Sequence, residues 1–450
     1  MHHKTTPTEY FDNLTACPDC DLLLPQIKTP VRHSIVCPRC GKTISRRRAR
    51  SITKALVLSI AGLLLYLPAI TLPLITLKSF GFSDSASIID SISNFYQSGY
   101  YFVAFMVLLS AVILPFVLLS SIFIISGQLS IKRYPPYLAK LFRSYLHLEE
   151  WAMVEVYLLG IIVTIIKMSD NTDINYHTGV FVFTGLVVLT LTIATVIDHD
   201  FFWQTIDSKG KNEKPGSIRH DSLQGNSPEG EFVTAARQGL TLCNTCHKLS
   251  PTSLEGKVCP RCGQTLHSRK PYSISKTWAL VLTSSIFLAP ANLLPIMQID
   301  YLGITDPSTI LDGIIYFFQH GSFLIGLIIF TASVLIPVFK IVGLVILLLS
   351  THPCGTKLLR QKTRMFRFIS FIGRWSMLDI FVIALLSVLV NFGFFTSIHV
   401  APAATYFCIV VASTMLAVIS FDPRIIWDKC SPCQQVVSGK SARSIFRNTP

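Results

Sequence analysis

Charge is what this sequence has little of. Only 14% of its 450 residues are Asp, Glu, Lys or Arg, while 50% are hydrophobic; an ordinary soluble domain carries about 25% charged residues. A single soluble globule is therefore excluded. Acidic residues are the scarcer sign, 25 against 39 basic ones, leaving a formal charge of +14. Cysteine is also sparse. Twelve in so long a chain rule out a disulfide-dense secreted scaffold, and most stand in Cys-x2-Cys pairs, which points to metal rather than bridges. The first fifty residues hold charged, Cys-containing sequence with no apolar core of a signal peptide, so an uncleaved, polytopic chain is expected.

What the chain does have is long apolar runs. A bilayer core about 30 Å thick takes roughly 20 apolar helical residues to cross. Eight stretches qualify or come close: 54–77, 100–127, 151–168, 178–197, 277–299, 322–350, 375–395 and 400–420. Apart from Lys78, Lys167 and Lys340, the basic residues fall before, between or after these runs on one side, as in Arg46–Arg48 and Arg50 before the first run and Lys357–Arg367 before the seventh. By the positive-inside rule both termini are expected to be cytoplasmic. Topology and anionic lipid then account for the net charge, and nucleic-acid binding is not expected.

The sequence is duplicated. Cys37-Pro38-Arg39-Cys40-Gly41 returns 222 residues later as Cys259-Pro260-Arg261-Cys262-Gly263, and the same offset carries Pro68, Pro73, Asp90, Gly99 and Pro115 to Pro290, Pro295, Asp312, Gly321 and Pro337. After a two-residue insertion, Trp151-x-Met153-x-Glu155 aligns with Trp375-x-Met377-x-Asp379, and Asp198 with Asp422. Each half is a Cys-rich module followed by four spans, so the repeats run parallel. The expected order is a first cytoplasmic zinc ribbon (1–50), a first transmembrane domain (51–200), a flexible linker (201–238), a second ribbon (239–272), a second transmembrane domain (273–422) and a cytoplasmic tail (423–450). The fold class expected is an all-α polytopic membrane protein with two small β-rich ribbons. Residues 83–99 and 305–321 read as short amphipathic helices, with Asp306 as N-cap and Pro307 in the first turn of the second. The repeated prolines are expected to break the first helix of each half.

The chemistry sits in two places. Cys17, Cys20, Cys37 and Cys40, and again Cys243, Cys246, Cys259 and Cys262, form paired Cys-x2-Cys knuckles. Four thiolates make a closed tetrahedral shell with no open position for water, the structural form of zinc site. A thioredoxin-like redox pair would need a βαβ setting that is missing. Cys430 and Cys433 are a further pair without a partner pair, and Cys354 and Cys408 are single. Gly41-Lys42-Thr43 resembles the end of a phosphate loop, but Val36 occupies the place of its first glycine. No nucleotide-hydrolysing or other enzyme machinery is legible.

The second place is inside the spans, where ionisable groups are costly. Lys340 lies in the sixth run, where the first half has Leu118, and Ser333 is seven residues earlier on the same helical face with Pro337 between them. Lys167 and Asp170, at i and i+3, pair in principle, and their counterparts are Asn391 and Phe394. Ser376 and Thr414 are the remaining candidates for a polar network. Against this, Lys167 is able to snorkel to the headgroups, Glu155 and Asp379 suit a helix N-terminus, and hydroxyls in spans often bond their own backbone.

With these motifs in place, including the repeated Pro-Ala-x-x-Leu-Pro of residues 68–73 and 290–295, the chain resembles the paraquat-inducible protein A family of bacterial inner-membrane proteins, with its LetA-type transporters. The resemblance covers about residues 15–425. It implies tandem zinc ribbons on the eight cysteines, a periplasmic MCE-domain partner that forms a hydrophobic tunnel, and a phospholipid substrate passed between membrane and tunnel. Two readings of other classes stand beside it: a scaffold that only anchors such a partner, and a zinc- or redox-sensing regulator.

Overall fold

The computed structural model describes residues 14–25, 33–46, 48, 50–79, 82–168, 173–207, 233–301, 304–319, 323–351, 358–373, 378–389, 396–428 and 446–448. Residues 208–232 of the expected linker fall outside them, as do Cys354, Cys430 and Cys433.

The chain is mostly helical and built twice. A first ribbon, with strands β1 (Leu14–Ala16), β2 (Leu23–Pro25), β3 (His33–Val36) and β4 (Thr43–Arg46), leads into α1 (Ser51–Thr71). Pro73 holds Leu72 in extended backbone, φ −72° and ψ 142°, and so ends that helix. The helix runs through Pro68 and stops one residue short of Pro73. Next come β5 (Ile75–Ser79), β6 (Phe82–Ala86), α2 (Ile88–Gln97), α3 (Tyr101–Ser130), α4 (Tyr137–Leu148), α5 (Val154–Met168), β7 (Asp173–Tyr176), α6 (Thr178–Val196) and α7 (His199–Asp207). The second ribbon holds β8 (Leu240–Leu242) and β9 (Leu249–Pro251). It is followed by α8 (Ser273–Leu293), β10 (Met297–Tyr301), β11 (Ile304–Ser308), α9 (Ile310–Gln319), α10 (Gly326–Leu349), α11 (Leu359–Ile372), α12 (Leu378–Leu389), β12 (Thr396–Val400) and α13 (Ala403–Ser420).

Six described helices are long and apolar enough to cross a membrane: α1, α3, α6, α8, α10 and α13. The chain is a multi-pass membrane protein. The described helices at the third and seventh expected spans, α5 and α12, have 15 and 12 residues, about 22 and 18 Å at 1.5 Å per residue. They are packed on each other where the halves meet. There a Cβ on Gly160 would lie 3.2 Å from the Phe381 side chain, and the Tyr157 and Phe381 rings are 5.1 Å apart. A small residue lets the two backbones approach.

Two corrections concern the side away from the ribbons. Each half carries a three-stranded antiparallel sheet there, ordered β6-β5-β7 and β11-β10-β12, so the membrane domains are not purely helical. The end of the first apolar run therefore becomes strand, because Pro73 and Pro295 forbid continued helix. The cap of α9 is Thr309, not Asp306, which lies in β11. Thr309 Oγ1 accepts from the Asp312 amide at 3.1 Å, and the Asp312 carboxylate accepts from the Thr309 amide at 3.0 Å. Ser87 and Asp90 form the same capping box on α2. This explains why Asp90 and Asp312 repeat.

The repeated Asp198 and Asp422 also have a structural role. Ser51 Oγ donates to the Val196 carbonyl and accepts from the Asp198 amide, at 2.7 and 3.2 Å. Ser273 does the same with Ser420 and Asp422, both at 2.9 Å. Each serine thus ties the start of its half's first long helix to the end of its last, satisfying carbonyls that a helix C-terminus leaves open. Burial favours the neutral acid of Asp422, yet Arg424 at 2.8 Å and neighbouring amides hold its carboxyl below the usual value.

One contact is tight enough to test. A Cβ on Gly179, at the start of α6, would stand 2.3 Å from the Pro73 carbonyl oxygen, whereas the second half has Ala403 at the equivalent place with its amide 3.2 Å from the Pro295 oxygen. Gly179→Ala is expected to destabilise the first half by about 1–3 kcal/mol, since backbone must shift to admit the methyl. Thermal unfolding in detergent measures it, and Ala403→Gly supplies the opposite comparison.

Candidate functional site

The two four-cysteine clusters, which could each hold a metal ion, form from local turns. In the first ribbon the Asp21 amide donates to the Cys17 carbonyl and the Gly41 amide to that of Cys37, both at 2.9 Å; in the second, His247 and Gly263 repeat this at 3.1 and 3.0 Å. These fifth positions all have positive φ, from 53° to 76°. Glycine adopts that backbone freely and Asp or His with modest strain. The turns aim two sulfurs from each knuckle at one point.

All eight cysteines are buried and none is in a disulfide. Within each set the four sulfurs lie within 4.8 Å of one another. Cys17–Cys40 and Cys20–Cys37 are 3.5 Å apart, and Cys243–Cys262 and Cys246–Cys259 are 3.5 and 3.7 Å. A tetrahedral ion with bonds of about 2.3 Å sets sulfurs about 3.8 Å apart. The donor set fits. Hydrogen bonds from neighbouring sulfurs, and then burial, push the Cys20 and Cys246 thiols far up, while the same bonds drive Cys37 and Cys259 far down. A divalent cation relieves this conflict by letting all four become thiolates.

Inside the spans, Lys340 on α10 is 0% exposed, and its Nζ has no hydrogen-bond partner among the described residues. Ser333 and Thr414 are also fully buried, but they donate to the Ile329 and Val411 carbonyls on their own helices, at 2.7 and 2.9 Å. Asp170 and Ser376 lie outside the described residues, and of Lys167 only the helical backbone is described. Among the described residues, then, no bond joins Lys340, Ser333 and Thr414, and none accepts from Lys340.

Sequence reasoning missed what surrounds Ser333. Residues Thr331–Leu335 form a π-helical segment, as do Leu108–Ile113 at the equivalent place in α3. Each precedes a proline, Pro337 or Pro115, whose missing N–H and bulky ring disturb the turn before it. Such segments recur at functional sites. An open cleft adjoins the second one, lined by Ser333, Ile329, Gly313, Phe317 and Val382 of the second half and by Val163 of the first. Thr309 and Ser333 are its hydroxyl-bearing residues and the rest of its wall is apolar. The repeated prolines were the available signal for it.

Comparison with known proteins places this architecture. The sequence profile of the family described as paraquat-inducible protein A matches residues 52–207 and 274–431. The "Lipophilic envelope-spanning tunnel protein A" of Escherichia coli is 33% identical over 415 residues, covering 92% of this chain and 90% of that protein. The "Intermembrane transport protein PqiA" of the same organism is 29% identical over 417 residues, with 92% and 95% coverage. The "Probable intermembrane transport protein" of Haemophilus influenzae is 30% identical over 436 residues, with 94% and 98% coverage. No solved structure matches the chain.

Proposed function

Since the chain belongs to the paraquat-inducible protein A family, we propose that it is the inner-membrane subunit of an intermembrane lipid transport system. It passes phospholipid between the bilayer and a periplasmic MCE-domain tunnel protein. The ribbons are cytoplasmic structural zinc sites, both termini share their side, and all eight runs, α5 and α12 included, belong to the membrane region. Relatives named for intermembrane transport support the class of activity.

The observation that carries the substrate is the cleft at Ser333. Its wall is almost wholly apolar, with two hydroxyls, the composition expected of a small-molecule site. It lies beside α9, β10 and the π segment, away from the ribbons. Acyl chains occupy it, and the headgroup meets the polar set of Lys340, Ser333, Lys167, Asp170, Ser376 and Thr414. A buried lysine with no acceptor among the described residues is expensive to fold around. A headgroup phosphate is the acceptor it lacks. No nucleotide-hydrolysing motif is legible in the sequence, and in this reading direction and drive come from the lipid's own gradient, an ion gradient or another subunit.

Native mass spectrometry on the complex released gently from membranes tests this. The expected particle contains an MCE-type subunit, phospholipid and about two metal ions per chain. Metal alone, with no such subunit and no lipid beyond the annular background, overturns the transport reading.

A further inference from the structure

The ribbons do not sit only on the halves that carry them. The first ribbon, which precedes α1, is fastened to the second half. Arg367 on α11 donates to the Asp19 carboxylate at 2.6 Å and to the Cys40 carbonyl at 3.0 Å. Arg39 stacks over Trp427 with its guanidinium 4.5 Å from the ring centre. Arg269, just before α8, donates to Asp21 at 3.1 Å. The second ribbon, which precedes α8, is fastened to the first half. Arg143 on α4 donates to the Cys262 carbonyl at 3.3 Å, and Arg261 pairs with Asp207 of α7 at 3.0 Å.

Arg143 and Arg367 occupy equivalent repeat positions, and each holds the carbonyl of the fourth cysteine of the opposite ribbon. The first ribbon also touches the second and the stretch of chain just before it. The Ala235 amide donates to the Asp21 carbonyl at 2.9 Å and the Leu23 amide to the Val233 carbonyl at 3.0 Å. Ala16, Ala235, Leu240 and Leu249 share one buried cluster. The straps thus cross over a common body.

We infer that each metal centre is a clasp between the halves, with Arg143 and Arg367 as positioning residues for the metal site of the ribbon they grip rather than for the ribbon that precedes them in their own repeat. An arginine bond to a ligand's own carbonyl fixes that ligand's orientation, and losing such an outer contact costs about ten- to a hundredfold in metal affinity. Metal occupancy and the relative placement of the two halves are therefore coupled. A ribbon that loses its ion loses its shape and releases the half it grips. This rests on the reading of the ribbons as metal sites but not on lipid passage.

The full-length, metal-loaded protein in lipid nanodiscs provides the test, with EDTA-driven metal release and hydrogen exchange read ribbon by ribbon. Two ions per chain in the unaltered protein establish the metal reading first. Arg367→Ala is then expected to speed release of one ion about tenfold and to raise exchange at residues 33–46, with residues 259–263 unchanged. Arg143→Ala is expected to do the reverse, and Arg364→Ala, an exposed neighbour on α11, to change neither. Loosening of the ribbon carried by the altered half, equal loosening of both, or no change in either overturns the assignment.

Discussion

Lys340→Met is expected to raise the unfolding temperature of the protein while reducing lipid transfer ten- to a hundredfold. The two effects have one cause. In the folded protein the Lys340 side chain is wholly out of contact with solvent, and no described residue accepts a hydrogen bond from it. Replacing a buried lysine by an apolar chain of similar length removes a desolvation cost of several kcal/mol per ion, and each kcal/mol recovered raises the unfolding midpoint by about 1 °C in a protein of this size. The repeat supports this directly, since the first half places Leu118 at the equivalent position without difficulty. On the transport side, a hydrogen bond to a charged group is worth about 1.5–3 kcal/mol, which is roughly ten- to a hundredfold in rate or affinity. Thermal unfolding and intermembrane transfer are measured on the same preparation. A variant that is less stable and fully active would remove Lys340 from the site and reclassify it as a structural residue.

Much of this was legible from the residues, for reasons that differ from element to element. The long runs of α1, α3, α6, α8, α10 and α13 show because a helix that faces lipid has no polar stripe to break the pattern. The cysteine knuckles are legible because their geometry is local. Cys-Pro-Arg-Cys-Gly at 37–41 and 259–263 contains its own turn, with Gly41 and Gly263 supplying positive φ. What escaped was set by neighbours. Ile75–Ser79 is apolar enough to read as the end of a span, and only its pairing with Phe82–Ala86 and Asp173–Tyr176, nearly a hundred residues on, makes it a strand. Periodicity cannot separate short apolar strand from buried helix.

The caps and the site show the same division. Asp306 and Thr309 are both good caps by type. β11 takes Asp306 into the sheet, leaving Thr309 to pair with Asp312. The π segments before Pro115 and Pro337 follow from the prolines in principle, but the widened turn depends on packing. In the first half the Ser110 carbonyl is met by the Met153 amide at 3.4 Å, a contact from 43 residues away. The crossing of the ribbons has no local signature. It joins residues as far apart as Asp19 and Arg367, and an ion pair across 348 residues leaves no mark on the composition of either segment. The cleft is legible only once α9, α10 and α12 are placed together.

Whether phospholipid occupies that cleft is most directly tested by filling it. Gly313 lines the cleft from α9, and a Cβ placed there meets nothing within 4 Å, so a large side chain enters open space rather than the core. Removing a glycine from a helix interior also favours the helix by up to about 1 kcal/mol, so Gly313→Trp is expected to fold and to keep both metal ions. The measurement is phospholipid retained per chain after extensive detergent exchange, in the Gly313→Trp variant against the unaltered protein. Near-complete loss of retained phospholipid, with metal content and unfolding temperature preserved, is the expected result. Undiminished lipid in a folded, metal-loaded variant would contradict the cleft as the lipid's seat.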